Sequence, residues 1–298
     1  MKNQLVSGIC ISLLVAPPFL VAETSDTDVP EGSISAGSST GAGKVTLSLD
    51  GNEPQEVIYE KVEGLAVIQG DIVLGTIDEM EAIASGSIQR SASYNFNNPG
   101  RFWKNGVVPY DNRPLSPRAH EVIAAAMKHI EQNSVIRFVR RTEENAHLYP
   151  DFIRIVSKDG CWSRVGKSGG MQELSIGPGC EYQHIVVHEF MHALGFWHEQ
   201  SRIDRDDHVE IHWDNIEERW SYNFNKLDTS YGLDIGPYDY KSVMHYGAYS
   251  FAINRYLPAI TPLHASLSDI GGFGNRVGLS PGDKDGVAQM YGLYLGNS

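Results

Sequence analysis

The segment from His188 to His198, which reads HEFMHALGFWH, limits what this chain can fold into more than any other part of its sequence. Its first two histidines are four residues apart, so on a helix their side chains lie one turn apart on the same face. Gly195 favours the end of a helix there, because glycine adopts a positive φ without steric cost. We therefore expect a helix from about His184 to Leu194, after which the chain turns and brings His198 back towards the other two histidines.

Three imidazoles arranged in this way suit one metal ion. His188, His192 and His198 would each offer a neutral ring nitrogen, and three protein ligands with one open position are typical of catalytic zinc. Glu189 lies about 100° around the helix from His188, where it can contact a water molecule on the ion without binding the ion itself. With the glycine and the third histidine at fixed offsets, the motif arises by chance in about one in 10⁵ chains of this length. The sequence therefore predicts one zinc ion per chain.

A second motif, YKSVMHY, occupies residues 240–246. An extended histidine motif followed by such a methionine turn is the signature of the metzincin peptidases. The segment 188–207, together with SVMHY, resembles the astacin family of zinc endopeptidases. Three further segments carry the likeness, and they read FWKNGVVPY, GCWSRVGKSGG and NRVGLSPGDKDGVAQMYG. The resemblance covers nearly all of residues 102–292.

The resemblance implies an α+β fold with a metzincin catalytic domain over residues 91–298. The N-terminal subdomain would hold a mixed twisted sheet and two long helices, and the C-terminal subdomain would be irregular. The implied activity is hydrolysis of peptide bonds in proteins or peptides. Glu189 would be the general base that takes a proton from the zinc-bound water as this water attacks the scissile carbonyl.

The resemblance also implies roles for residues beyond the histidine motif. Tyr246 would be a weak zinc ligand that swings away to hydrogen-bond the oxyanion, because a phenol is both donor and acceptor. Met244 would form an apolar floor under the zinc ligands, and Glu199 would pair with the N-terminus of the mature enzyme. Arg255 and Arg276 are both candidates for a basic group that binds an acidic side chain just after the cut, and the sequence does not choose between them.

The first 22 residues predict a signal peptide, with Lys2 before an apolar stretch and a small-residue cleavage site ending at Ala22. A membrane anchor is the alternative, but Pro17 and Pro18 interrupt the apolar run well short of the roughly 20 residues that a span needs. We therefore expect a secreted protein, extracellular or periplasmic, without stable membrane association.

Charge separates the next part of the chain from the rest. Residues 23–90 hold 13 acidic and 3 basic residues, against 24 and 20 in residues 91–298. We expect a linker over residues 23–43, then an inhibitory pro-segment that an activating protease removes near Arg90, in a precursor of the bacterial type. The net charge of −13 argues against nucleic acid as a partner.

A short motif in this acidic part, Gln69-Gly70-Asp71-Ile72, resembles the inhibitory motif of astacin pro-segments. In that motif an aspartate occupies the fourth zinc position of the latent enzyme, so Asp71 would be a metal ligand in the precursor alone. The alternative is an ordinary Gly-Asp turn between two strands.

Cys161 and Cys180 remain once the signal peptide is removed. In an exported chain they most simply form one disulfide, and a zinc-binding pair is the alternative. The resemblance favours the disulfide, although the second disulfide of the family is missing and Val135 stands at one of its positions. The strand that pairs with substrate would lie in the disulfide loop, around Lys167 to Gln172.

Local patterns predict several other elements. The pair Ser116-Pro117 predicts the start of a helix that runs to about Asn133. Strand-like runs cover Ile136–Arg140, Phe152–Val156 and, before the catalytic domain, Gly64–Leu74.

Two other functions stay open. A secreted binding or adhesion protein could keep the fold without activity, but inactive relatives typically lose the base or a ligand, and Glu189, the three histidines and Tyr246 are all present. A gluzincin-type peptidase would use a distant glutamate as third ligand, in the position that His198 already fits.

Overall fold

The computed structural model of the chain describes residues 37–47, 55–87, 99–226 and 234–295. The predicted signal peptide and the predicted cut after Arg90 lie outside these ranges. Within them, no helix combines the length and the apolar character that crossing a bilayer requires.

Residues 37–87, here called the N-terminal unit, form a four-stranded antiparallel sheet in the order β1-β2-β3-β4, followed by helix α1. The elements are β1 Ala42–Leu47, β2 Gln55–Val62, β3 Leu65–Ile68, β4 Ile72–Thr76 and α1 Ile77–Ala84. Strand β1 begins inside the predicted linker. Thr76 caps α1, since its hydroxyl accepts from Glu79 N while the Glu79 carboxylate accepts from Thr76 N.

The single strand expected over Gly64–Leu74 is wrong, because a turn divides it into β3 and β4. Gln69 has φ 50° and Gly70 has φ 81°, so two successive left-handed residues reverse the chain there. Glycine tolerates this conformation, whereas glutamine adopts it at a steric cost. The turn places Asp71 at its tip.

The second sheet has five strands in the order β6-β5-β7-β9-β8, all parallel except β8. They are β5 Val107–Asn112, β6 Arg137–Arg140, β7 Phe152–Val156, β8 Cys161–Trp162 and β9 Met171–Ile176. This is the mixed sheet that the resemblance implies. The edge strands are β6 and β8, so the expectation of an edge strand at Lys167–Gln172 is wrong: part of that segment belongs to β9, which lies between β7 and β8.

Helices α2, Pro117–Asn133, and α3, Gln183–Leu194, pack against each other and share one core with the sheet. Ser116 caps α2, where its hydroxyl accepts from Ala119 N, as the Ser-Pro pair predicts. Helix α3 has no side-chain cap and is buried on all sides, so packing rather than local sequence stabilises it. It ends at Gly195 with φ 114°, as expected.

The C-terminal subdomain is irregular, as the resemblance implies. Its elements are β10 Val209–Ile211, β11 Ile260–Pro262, helix α4 Pro281–Leu295 and several short 3₁₀ turns. Cys161 and Cys180 form the predicted disulfide, with Cα atoms 5.8 Å apart. It connects β8 to the loop before α3 and so stabilises the sheet edge next to the histidine motif.

Candidate active site

The end of α3 brings the three histidines together. His188 and His192 lie one turn apart on the helix, and the chain that leaves Gly195 returns to place His198 beside them. A Cβ atom on Gly195 would lie 3.3 Å from the Phe102 ring, so both the positive φ and the close packing favour glycine here. The predicted helix, turn and convergence are all present.

Asp71 of the N-terminal unit completes this cluster. Its carboxylate oxygens lie 3.2 Å from His188 Nε2, 3.4 Å from His192 Nε2 and 3.3 Å from His198 Nε2. The Nε2 atoms of His188 and His198 are 3.2 Å apart. All four side chains are at most 1% exposed, so solvent does not screen them.

The hydrogen bonds of the imidazoles fix which nitrogen carries the proton. His188 Nδ1 donates to Val243 O at 2.7 Å and His192 Nδ1 to Phe196 O at 2.8 Å, since a carbonyl oxygen can only accept. His198 Nδ1 donates to the side-chain Oε1 of Gln69 at 2.9 Å.

Burial lowers the pKa of His192, and it lowers the pKa of His198 to about 4, so both rings are neutral at pH 7. Each Nε2 therefore directs a lone pair towards Asp71.

This centre fits a tetrahedral cation. Three ring nitrogens and one carboxylate converge, and each ring uses its other nitrogen as a hydrogen-bond donor to an oxygen outside the centre. Zinc with nitrogen and oxygen ligands at about 2.0–2.2 Å would separate its ligands by about 3.3–3.6 Å. The observed separations of 3.2–3.4 Å match. His188, His192, His198 and Asp71 can hold zinc, and the oxygens that accept from each Nδ1 orient the rings, as outer groups do at metal sites.

Glu189 lies on the same helix and is fully buried. Neither of its carboxylate oxygens has a hydrogen-bond partner within the described ranges. Burial raises the pKa of Glu189 well above its usual value, and the negative charge of Asp71 raises it further. A carboxyl group in this environment has a high proton affinity, which suits a general base.

Tyr246 contacts the same centre from the methionine turn. Its hydroxyl donates to Gln69 O, and its ring lies 4.7 Å from the His198 ring between centroids. Burial raises the pKa of Tyr246 well above its usual value, and Asp71 adds to the shift, so the phenol stays protonated and remains a donor. Met244 is buried in the main core, and its backbone oxygen accepts from Glu199 N.

The N-terminal unit crosses the site along the sheet edge. Val73 N donates to Ser163 O at 2.8 Å, and Ser163 N donates to Asp71 O at 3.0 Å. Ile72 and Ser163 form a parallel bridge just beyond the end of β8. The segment after Asp71 is thus added to the edge of the five-stranded sheet, a common way for a sheet to bind an extended peptide.

Glu199 lines a separate cavity of about 140 Å³ behind the histidines. Its Oε1 accepts from Asp239 N at 2.7 Å, and Arg202 lies 3.6 Å away. Burial raises the pKa of Glu199 to about 8, although the Asp239 amide and Arg202 both oppose this shift. Four further carboxylates line the cavity, those of Asp234, Asp239, Asp283 and Asp285. The cavity therefore suits a positively charged group.

The two candidate arginines line different cavities. Arg276 is half-buried in a cavity of about 50 Å³ that Asp71, His188 and Tyr246 also line. Arg255 lines a larger cavity of about 580 Å³, on the other side of Gly70 and away from the histidines. Only Arg276 shares a cavity with the candidate metal ligands.

The sequence did not reveal several residues that position the histidines and Tyr246. Gln69 supplies both a partner for His198 Nδ1 and the acceptor for Tyr246, and its place in the Gln-Gly-Asp motif was the available signal. Gln200 accepts from Tyr246 N through Oε1 at 3.0 Å. The sequence does not mark the backbone carbonyls of Val243 and Phe196 as hydrogen-bond partners, because every residue has a backbone carbonyl.

Comparisons with known proteins agree with this geometry. A profile of the astacin peptidase family matches residues 95–292. The chain is 45% identical over 197 residues to High choriolytic enzyme 1 of Oryzias latipes, a match that covers 64% of this chain and 69% of that protein. It is 36% identical over 204 residues to Zinc metalloproteinase nas-6 of Caenorhabditis elegans, covering 68% of this chain and 57% of that protein. The chain thus spans little more than half the length of this second relative.

A solved structure shows the same fold. It is that of High choriolytic enzyme 1, a hatching enzyme zinc-protease from Oryzias latipes, with a TM-score of 0.59 and 42% identity. The match covers 65% of this chain and 96% of that one.

Proposed function

The chain belongs to the astacin family of zinc metallopeptidases, and from this premise we propose that it is the latent precursor of a secreted endopeptidase in which Asp71 occupies the fourth zinc position. One observation carries the proposal: three imidazoles and the Asp71 carboxylate converge at tetrahedral separations in a buried centre. Residues 37–87 would then belong to the pro-segment, after a signal peptide at residues 1–22. Residues 91–298 would be the catalytic domain.

In the mature enzyme His188, His192 and His198 would hold the metal. Zinc bound there supplies a Lewis acid that polarises the scissile carbonyl and lowers the pKa of water to about 7. His188 and His192 are already oriented by their Nδ1–H donations to Val243 O and Phe196 O, which do not belong to the N-terminal unit, so these two rings need little reorganisation. His198 loses its Gln69 partner when the N-terminal unit leaves.

Glu189 would be the general base. Departure of Asp71 removes a negative charge that acts on Glu189 and leaves room for a water molecule. The buried carboxylate takes a proton from this water as it attacks the carbonyl, and then passes the proton to the leaving amine.

Tyr246 would stabilise the oxyanion. Its hydroxyl donates to Gln69 O in the precursor, so removal of the N-terminal unit frees this donor at the edge of the metal centre. The protonated phenol can then donate to the negative oxygen that develops on the attacked carbonyl.

Activation would require a cut between the N-terminal unit and the catalytic domain, made by another protease near Arg90. The acid-lined cavity around Glu199 supports the expectation that this glutamate binds the newly formed amino terminus. A buried carboxyl of raised pKa becomes an ion more readily when a positive amine enters beside it.

Proteins or peptides would be the substrates. An acidic side chain just after the cut would meet Arg276, since that residue lines the cavity next to the histidines, whereas Arg255 does not. We therefore assign the basic group of this pocket to Arg276.

The test is casein hydrolysis by the trypsin-trimmed precursor, compared between the wild type and Glu189→Ala, with zinc content measured on both. Activity in the wild type, and its loss in a variant that still binds zinc, would support the proposal. If both proteins bind zinc, are correctly trimmed and cut nothing, the proposal is wrong and a binding protein becomes the better interpretation.

A further inference from the structure

His184 is a buried polar side chain with no assigned use. It lies at the start of α3, is 4% exposed, and neither of its ring nitrogens has a hydrogen-bond partner among the residues that the structure describes. A buried imidazole without partners lowers stability, because both nitrogens lose their water and gain nothing in exchange. A histidine that served only to fill the core would be replaced at less cost by an apolar residue.

The position of His184 suggests why it is retained. It lies four residues before His188, one turn earlier on the same face of α3. It lines the cavity of about 50 Å³ that Arg276, Asp71 and Tyr246 also line. In the precursor Asp71 forms part of the wall of this cavity, so the cavity opens towards the metal centre when the N-terminal unit leaves.

The chemistry of the cavity is specific. Arg276 brings a positive charge, and an imidazole offers at least one N–H donor in either protonation state. Of the lining residues that the structure describes, only Asp71 belongs to the N-terminal unit. The other walls of this small cavity therefore remain when the unit leaves, and a side chain that enters it must be short. Aspartate has one methylene between its backbone and its carboxylate, whereas glutamate has two.

We propose that His184 is a specificity-determining residue: it closes the end of the cavity and donates a hydrogen bond to the side chain just after the scissile bond, and so selects aspartate over glutamate. This rests on the peptidase function proposed above and on Arg276 as the basic group of the cavity. A site with buried donors rejects a side chain that cannot pair with them more strongly than a purely apolar site would.

The experiment uses the activated enzyme and peptides that differ only in the residue after the cut, which is Asp, Asn, Glu or Ala. For the wild type we expect kcat/KM for Asp to exceed that for Ala and for Glu by about tenfold or more, as for one hydrogen bond to a charged group. His184→Leu keeps a bulky side chain without nitrogens, and should reduce the Asp-to-Ala ratio by about tenfold with little change on the Ala peptide. His184→Gly should instead enlarge the cavity and shift the preference towards Glu.

Arg276→Gln and Arg255→Gln are the matched charge variants. The first should lower the Asp-to-Ala ratio, and the second should leave that ratio unchanged, since Arg255 lines the other cavity. Zinc content and the thermal midpoint show whether each variant is folded, and if His184→Leu does not fold, the Asp-to-Glu ratio of His184→Gly decides.

Three results would overturn the assignment: equal rates on Asp and Glu in the wild type, an unchanged ratio in both His184 variants, or an equal loss on every peptide. The last would mean a structural role for His184. Cleavage of none of the peptides, in a zinc-loaded and trimmed enzyme, would instead reject the peptidase function itself.

Discussion

Replacing Asp71 by alanine should convert the latent precursor into a partly active one without any cut in the chain. The Asp71 carboxylate is 1% exposed and lies within 3.4 Å of three histidine nitrogens. Removing one partner from a buried pair of charges, here the carboxylate opposite the zinc that the histidines would hold, costs about 3–5 kcal/mol. If this energy helps to hold the N-terminal unit on the site, its loss raises the open fraction by at least about 100-fold, since 1.4 kcal/mol corresponds to a factor of ten.

The variant should still fall short of the activated enzyme. The N-terminal unit keeps its backbone pairing with Ser163, the Tyr246 hydroxyl still donates to Gln69, and apolar contacts with Trp162 are unchanged. Most molecules therefore remain closed.

The assay is the initial rate of peptide hydrolysis by the uncut precursor, with chain integrity checked on a gel. Asp78→Ala is the matched control, because Asp78 is an exposed acid in the same unit. We expect the Asp71→Ala precursor to exceed both the wild-type precursor and this control. A variant as inactive as the wild type, at equal zinc content, would refute the view that Asp71 blocks the site.

The contacts of Glu199, Gln69 and the disulfide each lead to a further prediction. Burial raises the pKa of Glu199 to about 8 from its ordinary value of 4.5, so between these pH values the folded precursor holds a proton that the unfolded chain releases. The contribution of this proton to the free energy of unfolding is complete below about pH 4.5 and is lost as the pH rises through about 8. Chemical denaturation should therefore show the free energy of unfolding fall by about 5 kcal/mol over this window, a decrease that is absent from Glu199→Gln, and equal slopes in both proteins would contradict it. Gln69→Ala removes the partner of His198 Nδ1 and should weaken zinc binding by the precursor about tenfold, as measured by competition with a chelator. The control is Gln132→Ala, at an exposed position of α2, which should bind zinc like the wild type. The double variant Cys161→Ser, Cys180→Ser should lose about 3 kcal/mol in the free energy of unfolding. A reductant should lower the free energy of unfolding of the wild type towards that of the variant, and should leave the variant unchanged.

Local chemistry explains which parts of the structure could be predicted from the sequence. The start of α2 at the Ser116 cap, the end of α3 at Gly195 and the convergence of the histidines all depend on a few neighbouring residues. The spacing of these residues in the sequence is sufficient to predict where they lie, because the geometry of a helix fixes the position of each residue along it. The metal centre could therefore be outlined before any tertiary contact was known.

Features that depend on distant parts of the chain could not be predicted in this way. The turn at Gln69 divides a run that looks like one strand; the Gly-Asp pair allowed a turn there only as an alternative, and nothing local shows that the preceding Gln69 adopts a left-handed conformation. Only the strand order reveals that β8, and not the Lys167–Gln172 segment, is an edge strand. Arg255 and Arg276 look equivalent in sequence, and the path of the irregular C-terminal subdomain separates them.

The strands of the N-terminal unit pack against Met80 of α1 in a hydrophobic cluster that Val165 of the neighbouring domain also joins. Asp71 is therefore presented by a folded body, and not by a loose peptide. While the chain is continuous, the effective concentration of this body at the histidines is on the order of millimolar. A cut turns an intramolecular contact into an encounter between two molecules, so the fraction of the cleaved protein that is active should rise as it is diluted, whereas the uncut precursor should not respond to dilution.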